Sequence, residues 1–229
     1  MLTISAAMRL LQFGDSMLPV GSFSFSNGLE SAVQLGVVRD LDTLRQFVLT
    51  AVRQSAKTDG IAVLEAFRAA GDGSVERIEK ADRAVFNRKL NEEMRTMTIR
   101  MGRKLAEMAE KVAPSPHVAA WLASIKRGDT PGTYPVAQAL VFASLGLSDR
   151  DAFAAHQYGL TSMMLGASLR LLKISYLDAQ ALLFAINGEA DAAYERVANS
   201  SLEDMAAYAP MHDFLASAHV QATVRMFMN

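Results

Sequence analysis

The sequence predicts an all-α fold: one globular bundle of roughly ten helices, with residues 1–229 forming a single domain. Composition is the first observation behind this. Ala, Leu, Met, Arg, Glu and Lys dominate and β-branched clusters are sparse, which favours helix over sheet. The second is periodicity, with apolar residues recurring at three- and four-residue steps over most of the chain. The third is punctuation. Ser148 with Asp151, Ser175 with Asp178 and Ser201 with Asp204 are Ser-x-x-Asp boxes. In each, the Ser oxygen can accept from the N3 amide, and the acid favours the positive helix end. No alternating strands flank a hairpin turn, and no internal repeat or linker divides the chain.

Taken in order, residues 4–13 read as a short amphipathic helix and 28–35 as a second, stopped by Gly36. From 40 to 70, Leu44, Phe47, Val48, Val52, Ile61, Leu64 and Phe67 keep helical spacing, with Gly60 as a point of break or kink. Phe86, Leu90, Met94, Met97, Met101, Leu105, Met108 and Val112 then form one stripe with a mean step of about 3.7 residues, the repeat of a straight helix. This predicts one long surface helix, ended by Pro114 and Pro116. Its methionines read as core packing rather than a soft-metal site. Further helices are expected near 118–126, 134–145, 149–173, 176–187, 189–199 and 211–227, with a structured loop at 127–135. The uncharged run 152–169 contains His156, Gln157, Thr161, Ser162 and Ser168. It is too polar for a membrane span and reads as a buried central helix. Gly159, Ser162 and Gly166 would let neighbouring helices approach it closely.

Composition also excludes function classes. The net charge is −1 with acids and bases mixed, unlike the basic stripe of a nucleic-acid binder. Cysteine is absent, which removes disulfides, zinc–thiolate sites and a thiol nucleophile and fits a cytoplasmic location. Arg9 interrupts the apolar start and no small-residue cleavage site follows, so a signal peptide is not expected. No Gly-x-x-x-x-Gly-Lys-Ser/Thr loop or Gly-x-Ser-x-Gly elbow occurs. Of the four histidines, His212 and His219 alone share a helix, roughly 10 Å apart by the helical rise. They are weak metal candidates that could act only across two subunits. The single acids lack a recognisable catalytic partner, so no enzyme activity and no cofactor are expected.

The most specific stretch is Leu18-Pro19-Val20-Gly21-Ser22-Phe23-Ser24-Phe25-Ser26-Asn27-Gly28-Leu29-Glu30. On spacing alone it is an interhelical turn: Pro19 fixes φ, Gly21 and Gly28 permit positive φ, and Ser26 or Asn27 can cap the next helix. Its wording resembles the N-terminal signature of the UreF family of urease accessory proteins. The resemblance runs on through Glu93-Met94-Arg95, Arg100-Met101-Gly102-Arg103, Gly132-Thr133-Tyr134-Pro135 and Ala209-Pro210-Met211-His212-Asp213 to His219 and Arg225-Met226-Phe227. The chain departs from the family pattern at Val220, where Glu is usual, and at Lys173-Ile174-Ser175-Tyr176, where Pro-Leu-Gly-Gln is usual.

The resemblance implies a helical, dimeric adaptor without catalysis of its own. It would bind the UreD/UreH accessory protein and recruit the GTPase UreG, assembling a complex that loads nickel into apo-urease. Pro19, Gly21, Phe23, Phe25, Ser26, Glu30, Arg170 and Arg225 are the candidate partner-binding residues. Two alternatives stand beside this. One is a GTPase-activating or GTPase-regulating protein acting on UreG through Arg170 or Arg225, since an arginine in trans can stabilise phosphoryl-transfer charge. The other is a helical small-molecule-binding protein.

Overall fold

The computed structural model describes residues 2–15, 17–22, 25–220 and 226–227, the side chains of residues 219 and 220 excepted. Among them are twelve α-helices and no strand: α1 (Ile4–Gly14), α2 (Leu29–Gln34), α3 (Leu41–Lys57), α4 (Asp59–Gly71), α5 (Val75–Arg88), α6 (Glu92–Val112), α7 (Pro116–Arg127), α8 (Tyr134–Ser144), α9 (Asp149–Leu171), α10 (Tyr176–Asn187), α11 (Ala190–Val197) and α12 (Pro210–Val220).

The helix starts follow their capping chemistry. Ser148 and Ser175 form reciprocal boxes with Asp151 and Asp178 at the starts of α9 and α10. Ser201 and Asp204 form the same box, but it opens only a 3₁₀ turn, Leu202–Asp204. Asp40 and Thr43 cap α3 reciprocally.

The long stripe from Phe86 to Val112 is not one helix. α5 ends at Arg88, Lys89 is extended, and Asn91 starts α6 by accepting the Met94 N–H at 2.8 Å. Arg95 Nε donates to the Lys89 carbonyl at 2.7 Å, so the carbonyl freed by the break is paired. Leu90 sits in the break and points to solvent. Between α3 and α4 the break falls at Thr58, just before Gly60. Gly60 lies inside α4, where a Cβ would stand 2.7 Å from the Phe153 ring.

α4, α8 and α9 form the centre. Every residue from 135 to 142 of α8 is buried, as expected of a helix that is apolar on all sides. α9 ties two core clusters together. Its first half, with Phe153, packs among α4, α5, α6, α7 and α8, including Trp121, Phe142 and Leu105. Its second half, with Met164 and Leu165, packs with Leu29, Leu44, Phe47, Leu182, Ile186 and Leu215 of α2, α3, α10 and α12. Yet α9 is not buried all round: Tyr158, Gly166 and Leu169 are exposed. A Cβ at Gly159 or Gly166 would meet nothing within 4 Å. Among the described residues, the close helix approach expected there is not found at these two glycines.

Candidate functional site

The loop between α7 and α8 is held from two sides. Asp82 on α5 is fully buried. Its carboxylate accepts the Gly132 and Thr133 N–H groups and the Thr130 hydroxyl, each at 2.7 Å, and the Thr133 hydroxyl at 2.5 Å. Burial pushes the Asp82 carboxyl up from its ordinary value, and the four donors pull it back. On the other side, Gly102 of α6 lets the loop in: a Cβ there would lie 2.3 Å from the Gly132 oxygen. Tyr134 follows with its N–H donated to Thr98 Oγ1 at 3.2 Å. Burial pushes its phenol up to about 12, so it stays protonated at neutral pH.

Tyr134 borders a partly open cavity of about 130 Å³ whose lining includes residues of α3, α4, α6, α9 and α12. Met94, Met97, Met101 and Met163 form part of the wall. A buried polar chain forms another part. Lys89 Nζ donates to both Asp59 oxygens, at 2.6 and 2.8 Å. Asp59 Oδ2 lies 3.9 Å from His156 Nε2. Gln138 Oε1 stands 3.0 Å from His156 Nδ1, an acceptor that places the ring proton on Nδ1. The Nε2 lone pair then faces the Ser55 hydroxyl at 3.4 Å. Burial lowers His156 to about 4, with Asp59 opposing and Lys89 adding to the shift.

Asp59, Lys89 and His156 were not among the candidates read from the sequence. The signal was faint: His156 stood in an Ala/Gly/Ser-rich run, and nothing in the sequence linked it to Asp59 or Lys89. His212 was a candidate, and it also borders the cavity. Its ring lies 4.1 Å from the Phe47 ring, and burial lowers it to about 4. The His219 side chain lies outside the described residues. Among the described residues, no three His, Asp or Glu side chains cluster as a metal site requires.

The signature loop turns inward more than its candidate role suggests. Phe25, Ser26 and Glu30 are buried. Pro19 is exposed, and Gly21 is partly exposed at φ +93°. Phe23 and Arg225 lie outside the described residues. Asn27 and Gly28 both take positive φ, and Ser26 Oγ accepts the Glu30 N–H at 3.3 Å. Ser26 rather than Asn27 therefore serves the start of α2. Glu30 accepts the N–H groups of Met226 and Phe227, and the Arg170 guanidinium lies 4.1 Å from the Phe227 ring centre. Glu30, Arg170 and the chain's end are thus brought together.

The family model described as UreF matches residues 38–187. Urease accessory protein UreF 2 of Brucella canis is 51% identical over 227 residues, covering 99% of this chain and 93% of that protein. Urease accessory protein UreF 1 of Brucella melitensis biotype 1 is 50% identical over 227 residues, covering 99% and 94%. Urease accessory protein UreF of Yersinia enterocolitica is 48% identical over 225 residues, covering 98% and 99%. With similarity running along the whole chain, from the signature loop through the clasped 127–135 loop to the C-terminal helix, this chain belongs to the UreF family of urease accessory proteins.

Proposed function

We propose that this chain is a non-catalytic adaptor in urease maturation. It binds the UreD/UreH accessory protein and recruits the GTPase UreG, in a cytoplasmic complex that delivers nickel, the cargo, to apo-urease. The observation that carries this reading is similarity to urease accessory proteins over nearly the full length. The chemistry of the molecule supports it. The sequence has no phosphate-binding glycine loop, and the described residues offer no three-ligand metal cluster.

The surface supports it too. α10 is apolar on both sides: Leu182, Leu183 and Ile186 are buried, while Leu177 and Phe184 are 64% and 83% exposed. A helix apolar on all sides belongs inside something larger. We assign this face, with the uncovered Gly166 and Leu169 of α9 beside it in the fold, to a homodimer. An obligate interface of this type buries about 2,000 Å² or more in total.

Activation of the GTPase is less well supported. The Arg170 guanidinium packs on the Phe227 ring, which gives it a contact within its own chain although the residue is exposed. The cavity alone would suit a small-molecule binder, but its lysine is already neutralised by Asp59. Reconstitution tests the adaptor reading: apo-urease, nickel, GTP, UreD/UreH and UreG are combined with and without this chain. Urease activity should depend on the chain, while UreG turnover changes little. A thousandfold rise in GTP hydrolysis would instead mark an arginine-finger role. Activation of urease that does not need the chain would sink the adaptor reading.

A further inference from the structure

The last part of the signature stretch, Gly28-Leu29-Glu30, has work that an interhelical turn does not need. Gly28 lies under the backbone of α12: a Cβ there would stand 3.3 Å from both the Ala216 nitrogen and the His212 oxygen. Glu30 is only 2% exposed. Its Oε1 accepts the Met226 N–H at 2.7 Å and its Oε2 the Phe227 N–H at 3.0 Å. Two successive main-chain amides therefore meet the two oxygens of one carboxylate, about two hundred residues away in sequence. A buried carboxylate is strongly unfavourable unless such donors surround it. The grip is indifferent to the Met226 side chain, which stays exposed, whereas Phe227 is buried and joins the apolar cluster of Leu29, Met164 and Leu165. Arg170 closes over the Phe227 ring from α9.

We propose that Glu30 is a seat for residues 226–227, a positioning residue that holds them against the start of α2, beside the signature loop. The seat joins the signature stretch and residues 226–227 in one surface. Its role in assembly rests on the adaptor reading above, whereas the seat itself does not. Glutamine at position 30 keeps the volume but has one acceptor oxygen, and its NH₂ group faces the second amide. A two-oxygen grip is thereby broken without a cavity.

Hydrogen–deuterium exchange on the full chain reads this directly. In Glu30→Gln, exchange in the C-terminal peptide should rise about tenfold or more, with the α8 and α4 peptides unchanged. Capture by immobilised UreD/UreH should fall by a similar factor. Faster C-terminal exchange with undiminished capture leaves the seat standing and refutes its part in partner binding. Unchanged C-terminal exchange overturns the seat. Met226→Pro removes one donor at an exposed side chain near the chain's end and gives a second reading should Glu30→Gln fail to fold. It too must speed exchange at the C-terminal peptide, and protection equal to the parent's overturns the proposal.

Discussion

Asp82 shows how much structure one side chain can hold. Four donors from Thr130, Gly132 and Thr133 converge on its carboxylate, two on each oxygen, and the two on one oxygen lose their acceptor if that oxygen becomes an NH₂. Asp82→Asn should lower the unfolding free energy by about 2–4 kcal/mol, read by urea denaturation, and a loss below about 0.5 kcal/mol would refute the clasp. His156 makes a pH-dependent prediction. Its folded value of about 4 lies below the roughly 6.5 of an unfolded chain. As pH falls from 6.5 the unfolded state takes up the proton first, so stability is complete above 6.5 and declines toward pH 4. His156 alone should cost about 2 kcal/mol between pH 7 and pH 5. His156→Gln should flatten that part of the profile, and an unchanged slope would place His156 outside the linkage.

At the scale of elements, glycines separate packing from propensity. Gly102→Ala gains helix propensity of about 1 kcal/mol but drives a methyl into the Gly132–Thr133 backbone, so net destabilisation of about 1–3 kcal/mol is expected. Gly166→Ala meets nothing within 4 Å among the described residues of one chain, so in the monomeric Phe184→Asp background it should stabilise by about 0.5–1 kcal/mol. Thermal unfolding checks both signs, and destabilisation by Gly166→Ala in that monomer would mean that the chain itself covers α9 there.

Helices with strong local signals were legible in the sequence. The Ser148 and Ser175 boxes mark α9 and α10 because their hydrogen bonds are local. The break at Lys89–Asn91 was not legible, because Leu90 continues the apolar step while facing solvent. What ends α5 is long-range: the Lys89 amine reaches Asp59. The cavity was hidden for the same reason, since Asp59, Gln138 and His156 come from three helices and Lys89 from the break between two others. The signature loop was conspicuous by its residues, yet only the fold shows that Phe25, Ser26 and Glu30 point inward.

At the scale of the molecule, the proposed assembly makes its own predictions. The chain should be a dimer at tens of micromolar by light scattering, and Phe184→Asp should give a monomer with unchanged helical circular dichroism. A monomeric parent, or a Phe184→Asp dimer, contradicts the assignment of α10. The central claim is that this chain is the connection between two other proteins. UreD/UreH is immobilised and UreG is offered with GTP and nickel, in the presence and absence of this chain, and the UreG retained is quantified. The adaptor account predicts retention of UreG together with this chain, and none above background without it. UreG held equally well when the chain is omitted, or not held when it is present, would contradict the account.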